Sequence, residues 1–345
     1  MPVFFETKAD LGSNKTGKVA VPLIATAYSY KRPTGFRVYV LKPSIDRLSF
    51  TYPVPTTALR MKIREWLLSQ SKKPSSPISQ WTKIKDWGAA AYSYAFAVNC
   101  NACAKILVQI ESTKKQNAFM RVEFNPTSVG PAGMVDFQSM FAEMSNGEIT
   151  YADIAENCKV TRFDVAVDLV NVDVEDLLIK TKKSGITMSY FSLAGKKETN
   201  YLNVNKKGSN LYVYDRKALL EKLEAEGAGK PSEYGDVPYT RVERRVKPDR
   251  PITELHKCQN PLTDLHLLDI EAGTPPEEEH HWRMFQDSCR YRGLAGALNR
   301  LPDGLRDQYE VAVAKDGDAL WQPIKLWKHW PDALQVSGII PSDNE

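Results

Sequence analysis

The sequence predicts an α+β fold: a curved, mainly antiparallel β-sheet with packed helices, followed by a smaller, mainly helical C-terminal region. Three observations predict it. Strand-like segments dominate the first two thirds of the 345 residues. Helical segments fall between them rather than alternating strictly with them. Near residue 250 the texture changes, and proline-rich linkers give way to helical periodicity. The chain is therefore divided into an N-terminal arm (1–18), a sheet domain (19–250) and a helical region (251–345).

In order along the chain, KVAVPLIATAYSY (18–30) and FRVYVLKP (36–43) read as strands, and TTALRMKIREWLLSQ (56–70) reads as a helix. AKILVQIES (104–112) and AFMRVEFNP (118–126) follow as strands, then GMVDFQSMFAEMS (133–145) and YADIAENC (151–158) as helices. VTRFDVAVDLV (160–170) is a strand, and VEDLLIKTK (174–182) is expected to be a helix. Residues 188–215 read as a three-stranded meander, because AGKK and NKKGS carry the Gly and polar residues that hairpins use. RKALLEKLEAEG (216–227) is a helix and YTRVERRV (239–246) a strand. SKKPSSP (71–77) and EGAGKPSEYGDVP (226–238) are exposed loops. RPITELHKCQNP and EAGTPPEEEHH are linkers, followed by helices over 281–301 and 303–315.

Charge and cysteine content narrow the class. With 46 Lys+Arg against 42 Asp+Glu the net charge is +4, which permits nucleic acid as a partner without demanding it. Five cysteines, an odd number, argue against a secreted disulfide framework and for a reducing, cytoplasmic setting. The start lacks a basic segment followed by an apolar one, so no signal peptide is expected. No run of apolar residues is long enough to span a membrane, so no membrane partner is expected. CNAC (100–103) is a lone CxxC and a weak zinc signal. No P-loop pattern appears, so ATP use by this chain is not expected.

The strand TRFDVAVDL places acids where valines would suffice. Alternation puts Phe163, Val165 and Val167 on one face, and Arg162, Asp164, Ala166 and Asp168 on the other. The Arg-apolar-acid pattern recurs at 121–123 and 241–243. If these strands are neighbours, Glu123, Asp164 and Glu243 converge, with Asp168 one step along. Such a cluster of hard oxygens suits Mg²⁺ or Mn²⁺. The competing explanation is Arg–carboxylate pairing on a sheet face. In NLYVYDRK, alternation puts Tyr212, Tyr214 and Arg216 on one face. Strand tyrosines are commonly ordinary β-formers. Tyrosine, divalent metal and basic residues together are nevertheless the equipment for a phosphotyrosine transesterification of DNA.

The ordered set MRVEFNP, TRFDVAVD, ETNYLNVNKKGSNLYVYDRK and YTRVERRVK resembles the replication-initiation-factor family over residues 118–247. Its members initiate rolling-circle replication of small plasmids and filamentous phages. Arg162 to Asp168 match the family's Arg-apolar-Asp-apolar-Ala-x-Asp strand, and Arg241 to Glu243 its Arg-Val-Glu strand. Tyr214 matches the nucleophile of its apolar-Tyr-x-Lys stretch, with Arg216 in place of the usual lysine. The NKKGS loop is poorer in glycine and acid than the family's hairpin. None of His256, His266, His280, His281 and His329 forms the His-apolar-His strand of the other large class of nickases.

The resemblance implies a relaxase-like nicking domain and an origin-specific DNA nicking-closing enzyme that forms a 5′-phosphotyrosine. Tyr214 and Arg216 would be catalytic, and Asp164, Glu243, Asp168 and Glu123 would bind Mg²⁺ or Mn²⁺. Lys206, Lys207, Lys217, Arg162 and Arg241 are candidate DNA contacts. Arg290 and Arg292, on the C-terminal helix, are candidates for origin recognition. The expected partners are double-stranded origin DNA, the single-stranded plus strand, a host helicase and a polymerase, with a homodimer left open. The alternative is a non-catalytic DNA-binding regulator of plasmid or phage replication on the same fold.

Overall fold

A computed structural model describes residues 5–6, 19–20, 25–80, 91–100, 105–114, 118–181, 187–191, 195, 197–202, 210–227, 232–276, 278–317 and 320–341. The fold is α+β, built on a large, mainly antiparallel sheet. The strands in chain order are β1 (Phe5–Glu6), β2 (Val19–Ala20), β3 (Thr26–Lys31), β4 (Arg37–Leu41), β5 (Ser44–Tyr52), β6 (Ile78–Gln80), β7 (Tyr92–Asn99) and β8 (Lys105–Ser112). They continue with β9 (Met120–Phe124), β10 (Lys159–Val170), β11 (Leu177–Thr181), β12 (Thr187–Phe191), β13 (Lys197–Leu202), β14 (Leu211–Asp215), β15 (Tyr239–Val246) and β16 (Leu265–Asp269). The helices are α1 (Thr57–Ser71), α2 (Pro126–Ser145), α3 (Tyr151–Asn157), α4 (Arg216–Ala225), α5 (Glu279–Leu298), α6 (Asp303–Gly317), α7 (Pro323–Trp327) and α8 (Trp330–Val336). No helix among the described residues is long and apolar enough to cross a membrane.

The twelve-stranded sheet runs β12-β13-β14-β15-β10-β5-β9-β8-β7-β6, with β4 paired to both β10 and β3. The 188–215 meander forms as expected: β12, β13 and β14 pair antiparallel in succession. The second RVE strand, β15, lies beside β10, but β5 separates β10 from the first, β9. β5 was readable in the sequence, since Leu48, Phe50 and Tyr52 alternate with Arg47, Ser49 and Thr51.

The chain divides into two compact units, neither continuous in sequence. One comprises 1–43, 166–244 and 260–329, and the other 44–165, 245–259 and 330–345. Residues 251–345 are thus shared between them. In the first unit the core gathers Val38, Val40, Val167, Leu169, Leu211, Val213 and Val242, all inaccessible to solvent. In the second, Phe137 meets Phe141 at 4.9 Å and Phe163 lies against Trp330 at 5.3 Å.

Local chemistry sets the element ends. Asn125 caps α2 by accepting from the Ser128 amide, and Thr150 and Asp153 form a reciprocal capping box on α3. Gly130 and Gly293 take positive φ (69° and 71°) and kink α2 and α5, a conformation that glycine adopts without a Cβ clash.

The helix expected over 174–182 is corrected. Val174–Asp176 is a single 3-10 turn, and Leu177–Thr181 is β11, paired antiparallel with β16. A short apolar run such as LLI carries no decisive period, and here the partner strand LHLLD decided it. That partner lies in a stretch for which the sequence signalled no strand. α7 and α8 were also not anticipated.

Candidate functional site

Of the expected site residues, Glu123 lies on β9, Arg162, Asp164 and Asp168 on β10, Tyr214 on β14, and Arg241 and Glu243 on β15, whereas Arg216 and Lys217 begin α4 and Arg290 and Arg292 lie on α5. β10 is buried on both faces, not one: Phe163, Val165 and Val167 are inaccessible, and Asp164 and Asp168 are only 2% and 9% exposed. Buried carboxylates require partners, because an unpaired charge in the interior is costly. Within each unit those partners can be named.

In the first unit, Tyr214 on β14 donates its hydroxyl to Glu243 Oε1 on β15 at 2.5 Å. The register explains the reach: Tyr214 stands opposite Arg241 and Tyr212 opposite Glu243, so the bond is diagonal across one sheet face. Arg241 grips Asp168 with two bonds, Nε to Oδ1 at 2.6 Å and Nη2 to Oδ2 at 2.8 Å, and the Tyr239 hydroxyl adds a third to Oδ2 at 2.8 Å. Tyr239 packs edge to face on Tyr234 at 4.9 Å. Tyr239 was not singled out from the sequence, although alternation from Arg241 places it on the same face.

Arg216 differs from its expected position. β14 ends at Asp215, whose side chain accepts from the Ala218 amide and caps α4, so Arg216 is the first helical residue rather than a strand residue. An Asp three residues before an alanine-leucine run is an N-cap signal that outweighs strand alternation. Its charge still acts on Tyr214 and Tyr239, opposing the upward shift of both phenols. Its buried Nε has no hydrogen-bond partner among the described residues. Lys217, the next residue, pairs with Glu221 and Asp236. Lys206 and Lys207, with the rest of the NKKGS loop, lie outside the described residues, as does Cys103 of CNAC.

In the second unit, Arg162 holds Asp164 through both carboxylate oxygens, and Arg245 Nε lies 3.5 Å from Asp164 Oδ1. Glu123 is bonded by Arg121 and approached by Arg47 at 3.7 Å. Arg245 and Arg47 were not anticipated. Thus Asp168, Asp164 and Glu123, expected as metal ligands, each carry guanidinium partners, and Glu243 holds the Tyr214 hydroxyl. As they stand these acids fit arginines and a phenol, not a preassembled cage for a divalent ion. Among the described residues, the one group of three potential ligands within 4.8 Å of one another is elsewhere: Glu278, His280 and His281, all exposed.

The C-terminal arginines separate into two kinds. Arg290 is an ion-pair hub, bonded to Asp176 at 2.8 Å and to Glu271 and Asp287 at 2.5 Å. Burial pushes the Asp176 carboxyl up to about 6, against the pull of Arg32 and Arg290. Arg292 is exposed, and among the described residues it makes a long contact to Ser288 Oγ at 3.5 Å.

Burial drives the phenols of Tyr214, Tyr239 and Tyr234 well above the ordinary tyrosine range, reinforced by Glu243, Asp168 and Glu233 respectively. A raised folded-state value favours the protonated form in the fold. The associated stability is therefore complete below pH ~10, where free tyrosine ionises, and is lost as pH rises beyond it. Urea midpoints measured across the alkaline range should fall above pH ~10. A midpoint unchanged there would mean that the phenols are accessible in the fold.

No protein-family model matches the chain, and no curated protein matches it.

Proposed function

We propose that the protein is a rolling-circle DNA replication initiator that nicks and rejoins one strand at an origin through a 5′-phosphotyrosine on Tyr214. The observation that carries this reading is the 2.5 Å hydrogen bond from the Tyr214 hydroxyl to Glu243, beside Arg216, whose buried Nε has no hydrogen-bond partner among the described residues. A neutral phenol is a weak nucleophile and needs a base within hydrogen-bond reach. Glu243 is placed to take the phenol proton as Oη bonds to phosphorus, and Arg216 to offset charge on the phosphate oxygens. The bond to the 3′ oxygen breaks, and that oxygen leaves as a hydroxyl after protonation from water, ready for a polymerase. The phosphotyrosine keeps the bond energy, so a second transfer rejoins the strand without a nucleotide. With no ATP motif in the sequence, duplex unwinding falls to a partner helicase. The resemblance also implies Mg²⁺ or Mn²⁺. Because three of the acids expected to hold it are held by arginines and Glu243 meets the Tyr214 hydroxyl, no step is routed through a metal.

The test is a denaturing gel of the protein incubated with supercoiled origin plasmid, with and without Mg²⁺ or Mn²⁺. Open circles and a covalent protein–DNA adduct are expected. Specific binding without any adduct would instead favour the non-catalytic regulator. The observation on that side is the arginine pairing of Asp168, Asp164 and Glu123, which a purely structural sheet face would also show.

Origin recognition is assigned to the exposed arginines of α5, since a helix fits the major groove. Arg292→Ala should weaken duplex binding and reduce the salt slope by about one. Arg290→Ala should act differently, removing an ion-pair hub and costing about 1–3 kcal/mol of stability. Salt-dependent binding isotherms and thermal melts of the two variants check this. The assignment fails if Arg290→Ala alone alters the salt slope.

A further inference from the structure

The face of the β12–β13–β14 meander that carries Tyr214 also carries a row of three other tyrosines. Tyr190 on β12 meets Tyr201 on β13 edge to face, with ring centroids 5.2 Å apart, and Tyr201 meets Tyr212 on β14 at 5.0 Å. Tyr201 and Tyr212 are direct cross-strand partners, and Tyr212 stands opposite Glu243 on β15. The row therefore runs from the sheet edge to the carboxylate that holds the Tyr214 hydroxyl. The opposite side of these strands is the core side, where Leu202, Leu211 and Val213 are buried. The tyrosines are thus not the strands' contribution to the core. Edge-to-face packing accounts for the ring contacts. It does not account for a large ring left 49% exposed on the outermost strand, at Tyr190.

We propose that this tyrosine row is the docking strip for an unpaired DNA strand, whose bases stack on the rings while its backbone runs inward to Tyr214. The inference rests on the reading of Tyr214 as the nucleophile, which fixes where the strand leads. Three features select this occupant. Aromatic rings accept any base, because every base has a π-face, so a strip of tyrosines grips single strands without reading sequence. A duplex hides its base faces and cannot use the strip. At the inner end, Arg216 offers charge complementary to a backbone phosphate, with its buried Nε lacking a hydrogen-bond partner among the described residues.

Fluorescence anisotropy of a labelled oligothymidylate, titrated with the full-length protein, tests the proposal. Tyr190→Leu and Tyr201→Leu should each weaken binding about tenfold, the range expected on losing one stacked base. Tyr190→Phe and Tyr201→Phe should keep wild-type affinity, because the ring and not the hydroxyl does the stacking. Thermal melts show whether each variant folds, and Tyr190, half exposed, is the substitution the fold tolerates best. Wild-type affinity for the single strand in Tyr190→Leu and Tyr201→Leu overturns the proposal. The adduct assay is independent of this one. A protein that forms adducts while its leucine variants bind normally keeps the nicking reading and loses the strip. A protein that never forms adducts but loses single-strand affinity in those variants keeps the strip and loses the nicking reading.

Discussion

Tyr214→Phe is expected to reduce covalent attachment to DNA to the background of the assay while leaving duplex origin binding at wild-type strength. The substitution deletes the one oxygen proposed to attack phosphorus and retains the ring, at a position flanked by its cross-strand partners Arg241 and Thr199. The lost hydrogen bond to Glu243 costs about 1.5–3 kcal/mol, the usual range for a bond to a charged acceptor. That is too little to unfold a domain of ordinary stability, ~5–15 kcal/mol. A denaturing gel for adducts, run beside a filter-binding measurement on the same preparation, separates the two effects. Wild-type adduct from Tyr214→Phe, with loss in Tyr212→Phe or Tyr201→Phe, would move the nucleophile elsewhere on the same face.

Asp168→Ala should be the most destabilising single substitution at the site. It strands Arg241, whose side chain is 8% exposed and donates two hydrogen bonds to this carboxylate. Removing one partner of a buried ion pair costs about 3–5 kcal/mol, which for a chain of this size lowers the melting temperature by roughly 5–10 °C. Replacing both partners with apolar residues, as in Asp168→Leu with Arg241→Met, should recover much of that loss, because no uncompensated charge is left. Thermal melts in chelator give the decisive comparison. An Asp168 kept for a metal would leave the metal-free protein's melting unchanged or raised when it is removed. A melting temperature for Asp168→Ala equal to wild type in chelator would therefore show that the arginine pairing contributes nothing.

The central strands illustrate what could be read from the residues. In TRFDVAVDL the period-two alternation was legible, and so was the conflict of placing two acids and an arginine on a strand face. The meander was legible because turn residues separate three alternating runs. Tyr239 and β5 are legible in principle, since Tyr239 continues the alternation of Arg241 and Glu243, and β5 alternates Leu48, Phe50 and Tyr52 with Arg47, Ser49 and Thr51. Arg216 was misplaced because a capping aspartate and a strand residue look alike until the helix that follows is weighed against the strand before it. VEDLLIKTK differs from expectation because a run of three apolar residues fits either period.

The sequence by itself determined the α+β class, the meander, the strand faces and the residues that could act on those faces, because local alternation, turn chemistry and capping depend on near neighbours along the chain. Only the tertiary structure decided which partner each acid meets: Arg241 for Asp168, Arg162 for Asp164, Arg121 for Glu123 and Tyr214 for Glu243. It also decided that β5 lies between β10 and β9 and that LLI pairs as a strand with LHLLD. The physical reason is common to all of these. A carboxylate has the same local signature whether a guanidinium, a phenol or a metal will satisfy it, and the choice is made by strand order and register between residues far apart in the chain.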